Sequence, residues 1–354
     1  MPTKTPLLAE PPIFILGTGR SGTTLVQSLL SAHPRLCVTP ETHFCAIWEQ
    51  RTGLPIGHPE EGARFEAGWR GYLASKRFPD LGIAPEAARA ALERDEERSP
   101  RAALAALMAG YGERLGKPRV GEKTPGHWRW AGRLLEWFPD ARVILMRRDP
   151  RAVAASKMKA PWASRAMRLH GTALRRLTRL HVVAEEARLW RHIYEEAMAP
   201  LLADPRVRLV AYEALVADPE GALRALCGFL GERFDPVMLG PRGEASSPAG
   251  ARHDPAWAAW AAEHHAAARR PVDGASLERW RADLSAREVA AMEAEAGDAM
   301  ERAGYALASA PGARRAARGL ARALTAAGEG ELLARRAVGA IKSVARPRRP
   351  AAAP

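Results

Sequence analysis

Short apolar runs alternate with longer amphipathic stretches along most of this chain. Three pairs stand out: residues 13–16 with 23–32, residues 143–146 with the stretch from 151, and residues 207–211 with 219–230. Short strands that alternate with helices predict a three-layer α/β/α fold with a central parallel sheet. The carboxyl ends of such strands lie along one edge of the sheet, where open α/β sheets bind ligands.

A run rich in glycine and hydroxyl residues follows the first predicted strand, Gly17-Thr-Gly-Arg-Ser-Gly-Thr-Thr24. Between a strand and a helix, such a run brings backbone N–H groups and hydroxyls to a phosphate, which makes the fold P-loop-like. Thr23, however, stands where a nucleotide triphosphatase has the Lys that reaches the β- and γ-phosphates. The cation is Arg20 instead. The pattern therefore favours a nucleotide with a single 5′-phosphate over ATP or GTP.

A second anion-binding pattern follows the predicted strand at 143–146. Arg148 comes just after this strand, and Pro150 suits the first position of the next helix. Ser156 lies eight residues after Arg148. A guanidinium and a hydroxyl that meet at one anion form charge-assisted hydrogen bonds. We expect Arg148 and Ser156 to bind one anion together.

The two loops, in this order, resemble those of the sulfotransferase family, whose donor is 3′-phosphoadenosine 5′-phosphosulfate (PAPS). Further segments resemble the protein-tyrosine and bacterial branch of that family: Thr39-Pro-Glu-Thr-His-Phe44, Gly121-Glu-Lys-Thr-Pro125, Tyr212-Glu213 and Arg279-Trp-Arg281. The resemblance covers residues from about 11 to 305. It implies in-line transfer of a sulfuryl group from PAPS to a hydroxyl or amine, with release of 3′,5′-phosphoadenosine (PAP).

The resemblance also implies which residues hold the donor. The 5′-phosphosulfate would be bound by Arg20, Ser21, Gly22, Thr23 and Thr24. The 3′-phosphate, which distinguishes PAPS from other adenylates, would be bound by Arg148 and Ser156. Tyr212 would lie near the nucleotide, while Trp280 and Arg281 would close over the adenine or the 3′-phosphate.

Sulfuryl transfer needs cations beside the leaving phosphate and a base beside the acceptor. Glu41 matches the base of the family motif, and His43 is its alternative because imidazole titrates near neutral pH. Arg20, on the leaving side, is permanently charged and cannot act as an acid. Lys123 is therefore the candidate for a mobile ammonium, with a surface lysine at a strand end as the alternative. No metal site is expected.

We expect three parts in the chain. Residues 1–10 form an N-terminal extension, residues 11–307 a sulfotransferase domain, and residues 308–354 a basic Ala/Arg-rich tail. Helical insertions at about 45–118 and 157–206 are expected over the active-site edge of the sheet, where such segments carry specificity. Ser285 and Glu288 form a capping-box pattern that begins a helix at 285–304.

Charge and cysteine content limit the function classes. The net charge is +13, and the tail holds ten Lys and Arg against two Glu. The modestly basic remainder suits an anionic donor, and no nucleic-acid motif accompanies it. Three cysteines without metal spacing, no signal-peptide pattern and no apolar run of membrane-spanning length predict a cytoplasmic protein.

Several alternatives stay open at this point. A P-loop kinase or NTPase would keep the fold, and a non-catalytic nucleotide- or membrane-binding protein would fit the basic charge. The acceptor is a small molecule, a sugar, a lipid or a peptide, and the sequence does not select among them. Helices expected at 313–326 and 332–345 are basic with an apolar stripe, which suits peripheral contact with the inner membrane face. A docked or partly disordered tail is the alternative.

Overall fold

The computed structural model describes residues 7–58, 62–95, 97–160, 172–240, 274 and 276–319, with only the backbone described in 172–178. Five strands form one parallel sheet in the order β2-β3-β1-β4-β5. They are β1 (Ile13–Gly17), β2 (Leu36–Val38), β3 (Arg119–Lys123), β4 (Arg142–Arg147) and β5 (Val207–Ala211). The predicted parallel sheet is confirmed.

Helices connect these strands and pack on both faces of the sheet. The α-helices are α1 (Thr23–Ala32), α2 (Phe44–Thr52), α3 (Phe65–Leu73), α4 (Pro85–Glu93), α5 (Pro100–Leu115), α6 (Ala131–Trp137), α7 (Pro150–Met158), α8 (Thr172–Arg191), α9 (Tyr212–Ala217), α10 (Pro219–Leu230), α11 (Trp280–Asp283) and α12 (Ala286–Arg302). Short 3-10 helices lie at Gly62–Arg64, Phe78–Leu81, Pro125–Trp130, Ala199–Ala203 and Pro236–Leu239, and a π-helix at His192–Ala197 continues α8.

The core lies on both sides of the sheet because successive strand residues point to opposite faces. Phe14 and Leu145 join one buried apolar cluster, whereas Ile15 and Ile144 join the other. Strands buried on both faces have near-continuous apolar sequences, as β1 and β4 do. The three-layer α/β/α prediction is therefore confirmed.

Local sequence signals determine several helix starts. Asp149 caps α7 by accepting a hydrogen bond from the backbone N–H of Arg151, with Pro150 at the first helical position. Ser285 and Glu288 form the complete capping box that the sequence predicts for α12. These caps determine the first residues of α7, which follows β4, and of α12, which precedes the tail.

The described parts of the two insertion regions are mostly helical. Helices α2 to α5 fall between residues 45 and 118 apart from the first residue of α2, and α8 packs along α12. Residues 311–319 are helical, while the rest of both predicted tail helices lies outside the described residues. Within the described ranges, no helix has both the length and the apolar character needed to span a membrane.

Candidate active site

The glycine-rich loop after β1 leads directly into the amino end of α1. Ser21 is fully buried, and its hydroxyl donates to the carbonyl of Thr18 at 2.7 Å. Gly22 is the N-cap of α1 with a φ of 95°, and no side chain caps this helix end. The first N–H groups of a helix lack partners within it, so this end of α1 is suited to bind an anion.

Arg20 connects this loop to the second anion-binding loop. Its backbone has a positive φ of 76°, which is uncommon outside glycine. Its Nε donates to the hydroxyl of Ser156 at 3.0 Å. Burial, followed by the nearby charge of Arg148, lowers the pKa of Arg20 to about 10, while Glu41 opposes that shift. Arg20 thus remains a cation at neutral pH, close to Arg148 of the second loop and to Glu41.

Arg148 lies immediately after β4 and is largely buried. Its Nη1 donates to the carbonyl of Arg20 at 3.3 Å, and its Nη2 donates to the carbonyl of Ser276 at 2.9 Å. Its guanidinium carbon lies 4.1 Å from the centre of the Tyr212 ring. The structure therefore brings Arg148 and Ser156 to the same residue, Arg20, and their joint binding of one anion stays a prediction.

Tyr212 packs between the two loops. Its hydroxyl hydrogen-bonds the hydroxyl of Ser276 at 2.8 Å. A Cβ added at Gly22 would lie 2.3 Å from Cδ2 of Tyr212, so only glycine fits there while the ring stays in place. The close approach explains why the loop needs glycine at this position.

Glu41, Lys123 and His43 form a cluster of ionisable side chains at the carboxyl ends of β2 and β3. Lys123 is only 1% exposed, which excludes the surface-lysine alternative. Its Nζ donates to Oε1 of Glu41 at 2.7 Å, and Nε2 of His43 lies 3.1 Å from Oε2 of the same carboxylate. Burial opposes the charge of Glu41, but Lys123 and His43 hold the pKa of Glu41 well below its ordinary value.

Trp280 and Arg281 lie near the second loop, on α11. The Trp280 ring is 3% exposed and packs under the guanidinium of Arg151, 4.1 Å from its centre. Arg281 also lies over this ring, and it forms an ion pair with Glu278 at an exposed position. Their closure over the nucleotide stays a prediction.

Sequence reasoning missed residues that support these loops. The Tyr194 hydroxyl donates to the carbonyl of Met146 and accepts from the backbone N–H of Thr18 at 3.3 Å. This contact joins the end of β4 to the start of the glycine-rich loop. No local pattern signals it, because Tyr194 lies 176 residues from Thr18 in a π-helix. Glu122 was also missed, although it stands beside Lys123 in the quoted motif.

Two buried polar atoms in the loops fit a bound anion. Thr18 Oγ1 and Arg148 Nε have no hydrogen-bond partner among the residues that the structure describes. Buried polar groups ordinarily have one. Together with the uncapped end of α1, these donors are suited to a ligand with phosphate groups at two places.

A comparison with known proteins identifies the family. The family model described as "Sulfotransferase family" matches residues 11–236, which is most of the chain. The chain belongs to the sulfotransferase family. This confirms the family expected from the two loops and the Glu41 and Lys123 segments.

Relatives of this chain are 26–30% identical to it over the aligned parts. The nodulation protein NoeE of Sinorhizobium fredii is 26% identical over 78% of this chain and 61% of its own length. Protein-tyrosine sulfotransferase A of Caenorhabditis elegans is 28% identical over 65% of this chain and 52% of its own length. The omega-hydroxy-beta-dihydromenaquinone-9 sulfotransferase Stf3 of Mycobacterium tuberculosis is 30% identical over 64% of this chain and 64% of its own length. The chain thus spans about half to two thirds of these relatives.

Two solved sulfotransferase domains share the fold. The domain from the Synechococcus PCC 7002 olefin synthase has a TM-score of 0.55 at 24% identity and covers 87% of this chain and 98% of its own. The domain from the curacin biosynthetic pathway has a TM-score of 0.52 at 20% identity, with 84% and 99% covered. At these identities the likeness concerns the fold alone.

Proposed function

We propose that this chain transfers a sulfuryl group from PAPS to a hydroxyl acceptor and releases PAP. The observation that carries the proposal is the contact between Lys123 and Glu41, 2.7 Å apart, at one edge of the sheet. Arg20 is close enough to Glu41 for their charges to interact. A base and two cations from separate elements therefore converge where the glycine-rich loop meets α1.

The residues of the two loops fit the two charged ends of this donor. The uncapped amino end of α1 and the Thr18 hydroxyl would bind the 5′-phosphosulfate. Arg148 and Ser156 would bind the 3′-phosphate, with the Nε of Arg148, which has no partner among the described residues, as an additional donor. PAPS, when bound, supplies a sulfuryl group on a good leaving phosphate.

Glu41 and Lys123 would divide the proton and charge transfers of the reaction. Glu41 would accept the acceptor's proton as the acceptor oxygen forms its bond to sulfur. Its low pKa keeps it ionised at neutral pH, so that its oxygens can accept a proton. Lys123 and Arg20 would stabilise the negative charge that develops as the bond from sulfur to the bridging oxygen breaks, since that electron pair stays on the phosphate.

His43 is the alternative base and shares the Glu41 carboxylate. Its Nε2 lies 3.1 Å from Glu41, so the two groups exchange a hydrogen bond rather than act apart. In our proposal Glu41 is the base and His43 orients it. Comparison of Glu41→Gln with His43→Ala separates the two: if His43→Ala loses turnover at unchanged PAP affinity while Glu41→Gln stays active, His43 and not Glu41 is the base.

A hydroxyl acceptor is the class that the relatives support. The printed names of two relatives specify a protein tyrosine and an omega-hydroxy menaquinone derivative, and both carry a hydroxyl. We extend only this shared chemistry to the present chain. The helical segments around the site would determine which size and polarity of acceptor can bind.

Ligand binding tests the donor assignment. Thermal unfolding is measured with PAP, with 5′-AMP and with ATP plus Mg²⁺, because a ligand that binds the folded state raises the melting temperature. We expect PAP to raise it most and ATP with Mg²⁺ to raise it least. A larger shift with ATP and Mg²⁺ than with PAP would overturn the assignment and return a P-loop kinase or NTPase to first place.

A further inference from the structure

Glu122 is a fully buried carboxylate next to the proposed catalytic residues. It belongs to β3, one position before Lys123, and successive strand side chains point to opposite faces. Lys123 therefore contacts Glu41 on one side of the strand, while Glu122 extends to the other. Glu122 has no hydrogen bond to Glu41 among the described residues, but it accepts one from the residue that follows Glu41, Thr42.

Both carboxylate oxygens of Glu122 are used. Oε1 accepts hydrogen bonds from the hydroxyls of Thr42 at 2.7 Å and Thr124 at 2.5 Å. Oε2 lies 3.0 Å from Nδ1 of His127, which is 1% exposed. An ionised carboxylate can only accept, so the His127 Nδ1 carries the proton. Burial opposes the charge of Glu122, but His127 and the two hydroxyls lower its pKa below the ordinary value.

The two threonines pass this contact on to the backbone that follows Glu41. The Thr124 hydroxyl accepts from the backbone N–H of His43 at 3.1 Å. The Thr42 hydroxyl accepts from the backbone N–H of Phe44 at 3.2 Å. Each threonine hydroxyl therefore links Glu122 to one backbone N–H at the start of α2.

This backbone needs support because it is strained. His43 has a φ of 49°, in the left-handed region that is unfavourable for residues other than glycine. Such conformations persist where the surroundings over-determine them, and they cluster at active sites. Here the surroundings are the hydroxyls bound to Glu122, together with the Tyr72 hydroxyl, which donates to the carbonyl of Thr42 at 3.3 Å.

We propose that Glu122 is a positioning residue, which through Thr42 and Thr124 holds the strained turn that aims the Glu41 carboxylate at Lys123 and the acceptor. The inference rests on the proposed function, in which Glu41 is the base. Glu122 itself acts through Thr42 and Thr124, and among the described residues it has no hydrogen bond to Glu41. A displacement of about 1 Å in a catalytic group can cost about a hundredfold in rate, so loss of this support should appear in kcat.

The sharpest variants act on Thr124, which connects Glu122 to His43. Thr124→Val removes the hydroxyl at nearly constant volume, and we expect kcat to fall about 10- to 100-fold with the Kd for PAP unchanged within about twofold. Thr124→Ser keeps the hydroxyl and should restore kcat to within about threefold of wild type. Glu122→Gln should resemble Thr124→Val. Turnover is followed as release of PAP from PAPS, with para-nitrophenol and separately with water as the acceptor.

Glu232→Gln is the matched control at the opposite end of β3. This carboxylate is also largely buried, and it pairs with Arg119 at the first position of the strand, 3.1 Å apart. Its loss removes a buried ion pair from the same strand without touching the turn after Glu41. We therefore expect Glu232→Gln to lower the urea midpoint and leave kcat unchanged.

Combining Thr124→Val with Glu41→Gln separates a positioning role from a general effect on stability. In Glu41→Gln there is no base to aim, so adding Thr124→Val should change turnover by less than about twofold. If Glu41→Gln retains wild-type turnover, the base assignment is wrong and the inference fails with it. If Glu41→Gln loses turnover but folded Thr124→Val and Glu122→Gln keep wild-type kcat, only the positioning role is overturned. Failure of Thr124→Ser to restore kcat would overturn it as well.

Discussion

Replacing Gly22 with alanine tests the packing between the two anion-binding loops. A Cβ there would lie 2.3 Å from Cδ2 and 3.0 Å from Cε2 of Tyr212. Carbon atoms pack at about 3.5–4.0 Å, so the ring must move. Arg148 stacks on this ring at 4.1 Å and would move with it. One methyl group on the first loop should therefore disturb the residue that is expected to bind the 3′-phosphate on the second.

The size of the effect follows from two costs. A left-handed backbone costs an ordinary residue about 1–2 kcal/mol, and overpacking a filled site costs about 1–3 kcal/mol. We expect Gly22→Ala to lower the free energy of unfolding by their sum, about 2–5 kcal/mol. A lost charged hydrogen bond of Arg148 costs about 1.5–3 kcal/mol, which corresponds to PAP binding that is weaker by about 10- to 150-fold.

Gly116→Ala provides the control, since it has the backbone cost without the clash. Gly116 has a φ of 63°, and nothing lies within 4 Å of an added Cβ. Urea unfolding measures the free energy of unfolding, and titration calorimetry measures the Kd for PAP. Gly116→Ala should lose only about 1–2 kcal/mol and bind PAP normally. Equal destabilisation of both variants, with equal PAP affinity, would refute the reasoning.

Three further predictions concern the charged residues of the site. Arg148→Ala should weaken PAP binding by at least about 10-fold in calorimetry and leave 5′-AMP binding nearly unchanged, because only PAP carries a 3′-phosphate; equal losses would contradict this. Lys123→Ala should lower kcat for PAP release by about 10²–10³-fold, and unchanged kcat would remove it from the mechanism. The pKa values of Glu41 and Glu122 are both lowered, so their stabilisation is complete above the ordinary value of 4.5 and is lost as pH falls below it. As the pH is lowered below 4.5, the urea concentration at the unfolding midpoint should fall, and it should fall less steeply with pH in Glu122→Gln than in wild type. An equal slope in the two proteins would contradict the prediction.

Local patterns predicted the sheet and the two loops. A buried strand, a glycine-rich turn and a helix are consecutive in sequence, so β1 and α1 can be recognised without knowledge of the rest of the fold. The same holds for β4 followed by Arg148, and for the capping box that begins α12. Each of these elements depends on residues that are close in sequence, namely a short apolar run or a helix cap, so a short stretch of sequence is enough to predict it.

Long-range contacts could not be predicted in the same way. Lys123 and Glu41 are 82 residues apart, and only the register of β3 beside β2 brings them together. The positive φ of Arg20 and His43 is also not evident from the sequence, because both residue types mostly adopt a negative φ. Glu122 stood inside a recognised motif, but its role depends on contacts to hydroxyls of two separate segments.

Transfer of radiolabelled sulfate from PAPS tests the central claim most directly. Wild type and Glu41→Gln are incubated with the labelled donor and either para-nitrophenol or an extract of the producing cell, and labelled products are separated from PAPS and free sulfate. We predict a labelled organic product with wild type, an equimolar release of PAP, and a loss of about 10²-fold or more in Glu41→Gln at unchanged PAP affinity. Wild-type protein that binds PAP yet transfers no label to any acceptor, or Glu41→Gln with full activity, would contradict the account.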